Sequence, residues 1–241
     1  MAEQARRCAQ TDVPCFTDFL TPPEAEWALQ AARREGVSLT LYGGYEEAER
    51  KMARFALTEE DADTSFPIAA LVLTWPRQEA PAHRDILGSV MGLGLQRRCI
   101  GDIAVEKEHA VLFAESKMAE HLRQNLVSAG RTRIQVSAAE APPPVRPDPG
   151  KEVRDTVASL RLDAVVAAGY NLSRAKAAAL ITAGQVKLRH LPNEHADAQV
   201  AQGDAISVRG LGRLTVSAVG QPTKKGRFPL TLLRHGEKHP S

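Results

Sequence analysis

Aromatic side chains are scarce in this chain: 6 Phe, 3 Tyr and 2 Trp give 5% of 241 residues. Any contact with nucleic acid must therefore lean on charge and hydrogen bonds more than on stacking platforms. Cysteine is scarcer still. Cys8, Cys15 and Cys99 are odd in number, widely spaced and without a C-x-x-C pair. This argues against a disulfide framework or a zinc site and for free thiols in a reducing cytosol. The histidines show no H-E-x-x-H spacing. No apolar run approaches the length of a bilayer span. Met1 to Gln10 is polar, without the apolar stretch of a secretory signal. Together these absences lead us to expect a cytoplasmic protein with no metal, no cofactor and no membrane attachment.

What is present fits an ordinary globular protein, with 43% hydrophobic and 25% charged residues. The length allows one large domain or two to three small ones. The formal net charge of +2 hides an asymmetry. Residues 151–241 carry 14 Lys/Arg and 7 Asp/Glu, a net of +7, and residues 1–150 carry 17 and 22, a net of −5. A basic C-terminal part joined to an acidic N-terminal part points to a polyanion-binding end.

Residues 1–64 read as a helical segment. Thr21-Pro22-Pro23-Glu24 is a helix start and Gly36 a stop. Tyr42-Gly43-Gly44-Tyr45 is a turn, and the apolar spacing of Met52, Phe55 and Ala56 predicts a second helix over Glu46–Leu57. On that helix Arg50, Lys51 and Arg54 are read as a solvated face, with RNA contact as the alternative. From 65 to 140 the expected order is a strand at Ile68–Thr74, a helix at Ala82–Met91, strands at Ile103–Val105 and Ala110–Ala114, a helix at Ser116–Ala129 and a strand at Thr132–Val136. This β-α-β-β-α-β order is that of ferredoxin-like folds and of RNA-recognition domains. The third strand offers only Phe113 as a stacking residue, which argues against RNA binding by that sheet face.

Five prolines between Ala141 and Gly150 mark a stiff linker. Beyond it a helix is expected around Val153–Ala168. A second, Arg174–Ala183, is capped by Ser173 and closed by Gly184. Short strands follow at Val186, Val200 and Ile206–Val208, with a turn at Gly203-Asp204. The fold class expected is α+β: a helical segment 1–64, a ferredoxin/RRM-like domain 65–140, a linker 141–150 and a basic RNA-binding module 151–241.

That last module resembles the S4 RNA-binding domain, through Arg161-Leu162-Asp163, Ser173-Arg174, Lys176, the Gly184–Lys187 turn and Gly203-Asp204. Ser207-Val208-Arg209-Gly210-Leu211-Gly212-Arg213, followed by Thr223-Lys224-Lys225-Gly226-Arg227, resembles YlmH-type S4 proteins, which are similar to the photosystem II S4-domain proteins of plastids and cyanobacteria. Tyr42 to Tyr45, Glu49-Arg50, His83 to Gly88, Arg97 and Gly101-Asp102-Ile103 look like the same family. One departure stands out. The Val-Asn that follows the lysine of this turn in the family is here Leu188-Arg189, followed by His190-Leu191-Pro192-Asn193.

The resemblance implies a non-enzymatic factor that binds ribosomal RNA on the large subunit. It further implies a role in ribosome-associated quality control, holding peptidyl-tRNA on an obstructed 50S particle, with a quality-control protein as a further partner. The residues expected to touch RNA are Arg161, Ser173, Arg174, Lys176, Lys187, Arg209, Gly210, Arg213, Lys224, Lys225 and Arg227, with His83, Arg84 and Arg97 as further contacts. The alternatives are an RNA-modifying enzyme, since S4 modules also accompany pseudouridine synthases and methyltransferases, and a ribosome-assembly adaptor. Other signals are weaker. His83-Arg84-Asp85 matches a kinase triplet without the accompanying motifs. Gly92-Leu93-Gly94 lacks the third glycine of a dinucleotide loop. Nothing in the sequence fixes the distance between Asp85 and Asp102, the one imaginable acid/base pair.

Overall fold

A computed structural model describes residues 1–57, 65–76, 80–140, 143–145 and 150–235. It divides into two units, Met1–Pro147 and Asp148–Ser241, and mixes α and β structure in both. Of the expected linker, only 143–145 and Gly150 are among the described residues.

In the first unit, local chemistry sets the helix boundaries. Thr21 precedes helix α2 (Pro22–Glu35), after α1 (Ala2–Thr11). The Glu24 carboxylate reaches back to accept the Thr21 N–H at 2.7 Å, and Gly36 closes the helix in the left-handed region at φ 69°. Three strands complete this part: β1 (Cys15–Phe16), β2 (Ser38–Tyr42) and β3 (Met52–Ala56), in the order β1-β3-β2. The helix expected over Glu46–Leu57 is therefore absent, and the segment is not purely helical. All five β3 residues are buried. Ala53 and Phe55 join the core beneath α1 and α2, while Met52 faces Phe19, Val111 and Phe113. A strand covered on both faces shows no alternation, and helix-favouring Met, Ala and Arg then mislead a reading by pattern.

The following segment forms β4 (Ile68–Thr74), α3 (His83–Gly92), β5 (Ile100–Val105), β6 (His109–Glu115), α4 (Ala119–Asn125), a small hairpin β7 (Ser128–Ala129) and β8 (Thr132–Arg133), and β9 (Gln135–Ala138). The antiparallel sheet order is β5-β6-β4-β9. Several boundaries differ from expectation: β5 begins at Ile100 rather than Ile103, and α4 begins at Ala119 after a single tighter turn at Ser116–Met118. The helix expected to reach Ala129 stops at Asn125, because Ser128 and Ala129 pair with Arg133 and Thr132 around Gly130; the last strand accordingly starts at Gln135. On one sheet face Leu71, Leu73, Ile100, Ala110, Leu112 and Ala114 pack with Ile86 and Val90 of α3 and Leu122 of α4. The other face is covered only in part: Val111 and Phe113 are buried against Phe19 and Met52, with Tyr45, Phe66 and Val145 around them, while Thr74, Gln135 and Ser137 towards the β9 edge are exposed.

Among its described residues, the second unit has one six-stranded antiparallel sheet and two helices. Its strands are β10 (Lys151–Val157), β11 (Val186–Leu188), β12 (Leu191–Pro192), β13 (Ala205–Val208), β14 (Gly212–Val219) and β15 (Phe228–His235), in the order β10-β15-β14-β13-β11-β12. Helices α5 (Leu162–Tyr170) and α6 (Arg174–Thr182) share a core with its apolar rows, including Val186, Ile206, Val208, Leu214, Val216 and Leu232. The helix expected from Val153 is a strand as far as Val157, because β15, far along the chain, pairs with it residue by residue. Val200 is buried but belongs to no strand; its neighbour Gln199 makes a single bridge to Arg161. Gly169 lies inside α5 because a Cβ there would stand 2.3 Å from Leu214 Cδ1.

Gly44 carries a sharper requirement: at φ +101°, a Cβ would meet Phe113 Cδ1 at 2.2 Å. Gly44→Ala is expected to cost the first unit about 2–4 kcal/mol in denaturant unfolding, from strain plus overpacking. Gly94→Ala, also left-handed but facing open space, should lose only the backbone part, about 1–2 kcal/mol. Equal losses would show that Phe113 yields to the added methyl.

Candidate nucleic-acid interface

Helices α5 and α6 begin around one carboxylate. Arg161, the residue before α5, donates from Nε and Nη2 to the two Asp163 oxygens, both at 3.3 Å. Arg174, the first residue of α6, donates from Nη2 to the same oxygens at 3.0 and 2.8 Å. The Asp163 side chain is 8% exposed, against 39% for Arg161 and 55% for Arg174, so the arginines lie outward and the acid lies beneath. Burial alone would push the Asp163 carboxyl up; the hydrogen bonds and charges of both arginines outweigh it and hold the carboxyl below the usual aspartate range. Ser173 caps α6, its Oγ accepting from Lys176 N at 3.2 Å, and the Lys176 side chain is exposed. Outward guanidinium donors beside the positive end of a helix can hold a phosphate oxygen.

A third arginine braces a nearby turn. Leu188 pairs with Leu191, so Arg189 and His190 form a two-residue hairpin loop, both left-handed at φ 52° and 67°. Such a loop usually takes Asn-Gly. Arg189 is held there by a fork onto Asp204, at 2.7 and 2.8 Å, and by Nη2 donating to Gln199 O at 3.3 Å. Gln199 is the residue bridged to Arg161. The departure from the family turn thus replaces an asparagine with an arginine anchored to the Gly203-Asp204 turn. The fork, with Ala201 N–H, holds the Asp204 carboxyl low against the opposing effect of burial.

The remaining basic residues fall into separate places. Lys187, Ser207, Arg213 and His235 pair in sequence across β11, β13, β14 and β15, so they form one row on the face opposite the core. Exposed Arg209 and Gly210 sit in the β13–β14 turn beside that row, with Gly210 at φ +80° and Arg209 N–H bonded to Gln185 O at 2.9 Å. Lys224 and Lys225 are exposed in the loop after β14. Eight strand residues at about 3.3 Å each, roughly 25 Å, separate that loop from the Arg209 turn. The loop lysines therefore do not extend the same patch. Arg227 turns back onto β10, donating to Thr156 Oγ1 at 3.0 Å and to Thr156 O.

In the first unit, Arg97 serves the fold. Its Nη1 donates to Ile100 O at 2.6 Å and Gly101 O at 3.0 Å, and burial, with the neighbouring Arg50 charge, brings its pKa down to about 10. Arg50 is likewise turned inward, onto Phe19 O at 2.8 Å and Ile100 O at 3.0 Å, and Arg54 is buried beside Phe66. Neither belongs to a solvated helix face. His83 and Arg84 are exposed at the start of α3. The surrounding protein and the Arg97 charge lower the His83 pKa. The two carboxylates of the imagined acid/base pair have structural partners. Asp85 accepts the Ala82 N–H at 3.1 Å, while Asp102 accepts from Tyr45 OH, Glu49 N and Arg50 N at 2.9, 2.7 and 3.2 Å.

Residues 1–62 match the family model described as YlmH, N-terminal, and residues 62–142 match the putative RNA-binding domain in YlmH. Over 224 residues the chain is 33% identical to the ribosome-associated protein quality control protein P2 of Bacillus subtilis (strain 168), covering 91% of this chain and 86% of that protein. The chain belongs to the YlmH family. A solved structure, cell division protein ylmH from Streptococcus pneumoniae, is 20% identical, with a TM-score of 0.48 over 57% of this chain and 85% of that one. No helix among the described residues is long and apolar enough to cross a membrane.

Within this YlmH-family chain, sequence reasoning named Arg189 as a departure and Asp204 as a turn residue but missed the fork between them, and it missed the bracing roles of Arg50 and Asp102. Two residues between Leu188 and Leu191 are the spacing of a tight hairpin, and that spacing was the available signal for Arg189. The depressed carboxyls of Asp163 and Asp204 carry a pH dependence. Their contribution to stability is complete above about pH 4, the unfolded aspartate range. It is lost as pH falls through their lower folded-state values. Hydrogen-exchange protection of α5 and α6 amides should therefore fall steeply below about pH 4, and Asp204→Asn should flatten that fall.

Proposed function

We propose that this protein is a cytoplasmic, non-enzymatic RNA-binding factor of the ribosome. It binds ribosomal RNA of the 50S subunit through its C-terminal unit and acts in quality control of stalled peptidyl-tRNA. The observation that carries the reading is the Arg161–Asp163–Arg174 arrangement. Two exposed guanidinium groups and a capped helix start converge there, on the unit whose sequence resembles an S4 domain. The family model named for a putative RNA-binding domain matches residues 62–142, in the first unit, so with the relative named for ribosome-associated quality control it supports RNA binding on the ribosome in general, not the choice of the C-terminal unit. The engagement of Asp85 and Asp102 in structural hydrogen bonds weighs against the RNA-modifying alternative.

Contacts of this kind read phosphate positions and shape rather than base identity. Co-sedimentation with purified ribosomal particles at several salt concentrations tests the reading. Binding should track the 50S particle and weaken as salt rises. Arg174→Ala/Lys176→Ala and Arg209→Ala/Arg213→Ala should each weaken it and reduce the salt slope by roughly 1–2. Absence of binding both to particles and to their isolated RNA would refute it.

A further inference from the structure

We propose that Asp163 is a positioning residue for RNA binding: its carboxylate, itself out of reach, fixes the two arginines that touch phosphate. The inference rests on the RNA-binding reading above and names a residue that a search for basic contacts passes over.

The geometry is specific. Arg161 and Arg174 enter two different helices, yet both bond to the same two carboxylate oxygens. The Asp163 side chain is 8% exposed, so it offers no surface to a polyanion. Its backbone is fixed as well: Leu162 N–H bonds to Ala198 O at 2.9 Å and Asp163 N–H to Ala196 O at 3.0 Å, tying the start of α5 to the segment that also receives Arg189. Each arginine commits one edge to Asp163. Arg161 Nη1 and Arg174 Nε and Nη1 make no hydrogen bond within the described residues and remain available for phosphate oxygens.

Two effects of the carboxylate oppose each other. Its negative charge lowers the local potential, so by charge alone its removal should tighten RNA binding. Its hydrogen bonds hold two long side chains in one orientation, so its removal makes the RNA bear the cost of ordering them. Solvent and salt screen the first effect at the exposed guanidinium groups, and the second scales with two rotamer-rich side chains. Positioning therefore wins, and the sign of the change in affinity separates the two.

The test uses the full chain and deproteinised large-subunit ribosomal RNA, with affinity measured across a salt series. Asp163→Asn keeps the side-chain shape but offers one acceptor and places an amide donor against the guanidinium groups. It is expected to bind about tenfold more weakly, the ordering cost of two arginines, with a shallower salt slope, despite adding one unit of positive charge. Arg161→Lys/Arg174→Lys keeps every charge but cannot make the shared fork, and should lose a similar factor. Circular dichroism checks that each variant is folded; if Asp163→Asn is not, Asp163→Glu, which keeps the charge but displaces the carboxylate from both arginines, decides, with a similar loss expected and full affinity overturning the inference. Full affinity in the lysine pair, or equal or tighter binding by folded Asp163→Asn, overturns the inference while leaving the RNA-binding reading intact. A wild type that binds no RNA removes both.

Discussion

The first unit depends on the carboxylate of Asp102. It sits where β5 departs from regular pairing between Ile100 and Ile103, and it collects the Tyr45 hydroxyl and the amides of Glu49 and Arg50. Those three bonds pin the 45–50 loop against the four-stranded sheet. Tyr45 then lies over Phe113, ring centroids 5.2 Å apart and 25° from parallel, and Arg50 runs inward to the carbonyls of Phe19 and Ile100. With Tyr45 stacked, the hydroxyl's proton is held tightly: burial and the adjacent carboxylate both raise its pKa. Gly43, Gly44 and Gly101 fit the same constraint, since a Cβ at any of them would collide with Ala48, Phe113 or Phe19.

This clamp has a functional side. A β-α-β-β-α-β sheet binds RNA, where it does so, by stacking bases on its open face. Here the middle of that face is covered by the N-terminal part of the same unit, and the one aromatic residue it had to offer, Phe113, is 1% exposed. The family motif residues Tyr45, Arg50, Arg97 and Asp102 accordingly describe an internal joint rather than a ligand surface. The exposed remainder of that motif is His83 and Arg84, at the start of α3.

The parts of the fold legible in the sequence are those specified locally. The Thr21–Glu24 start, the Ser173 cap and the apolar run Ile68–Thr74 each carry their signal within a few residues, and each element lies where its residues indicate. The failures have a common cause. Met52–Ala56 and Val153–Val157 are strands only because distant partners cover or pair with them, information that no window of the sequence contains. The candidate site divides the same way. Arg174 and Lys176 are visible from their position at a helix start. Nothing local indicates that Arg161 and Arg174, 13 residues apart, share a carboxylate, or that Lys224 and Lys225 lie at the far end of β14 from Arg213.

The Arg189-His190 loop has a consequence for the design of this module. Two successive side chains in the left-handed region cost roughly 1–2 kcal/mol each relative to glycine, and the forked Asp204 contact offsets part of that. A chain under selection for a stable hairpin alone has a simpler solution in Asn-Gly. Retaining a strained arginine at the exposed tip makes this hairpin a point where thermal robustness and surface chemistry pull in opposite directions. Substitutions that relax the turn would give a sturdier module with one fewer exposed guanidinium on its surface.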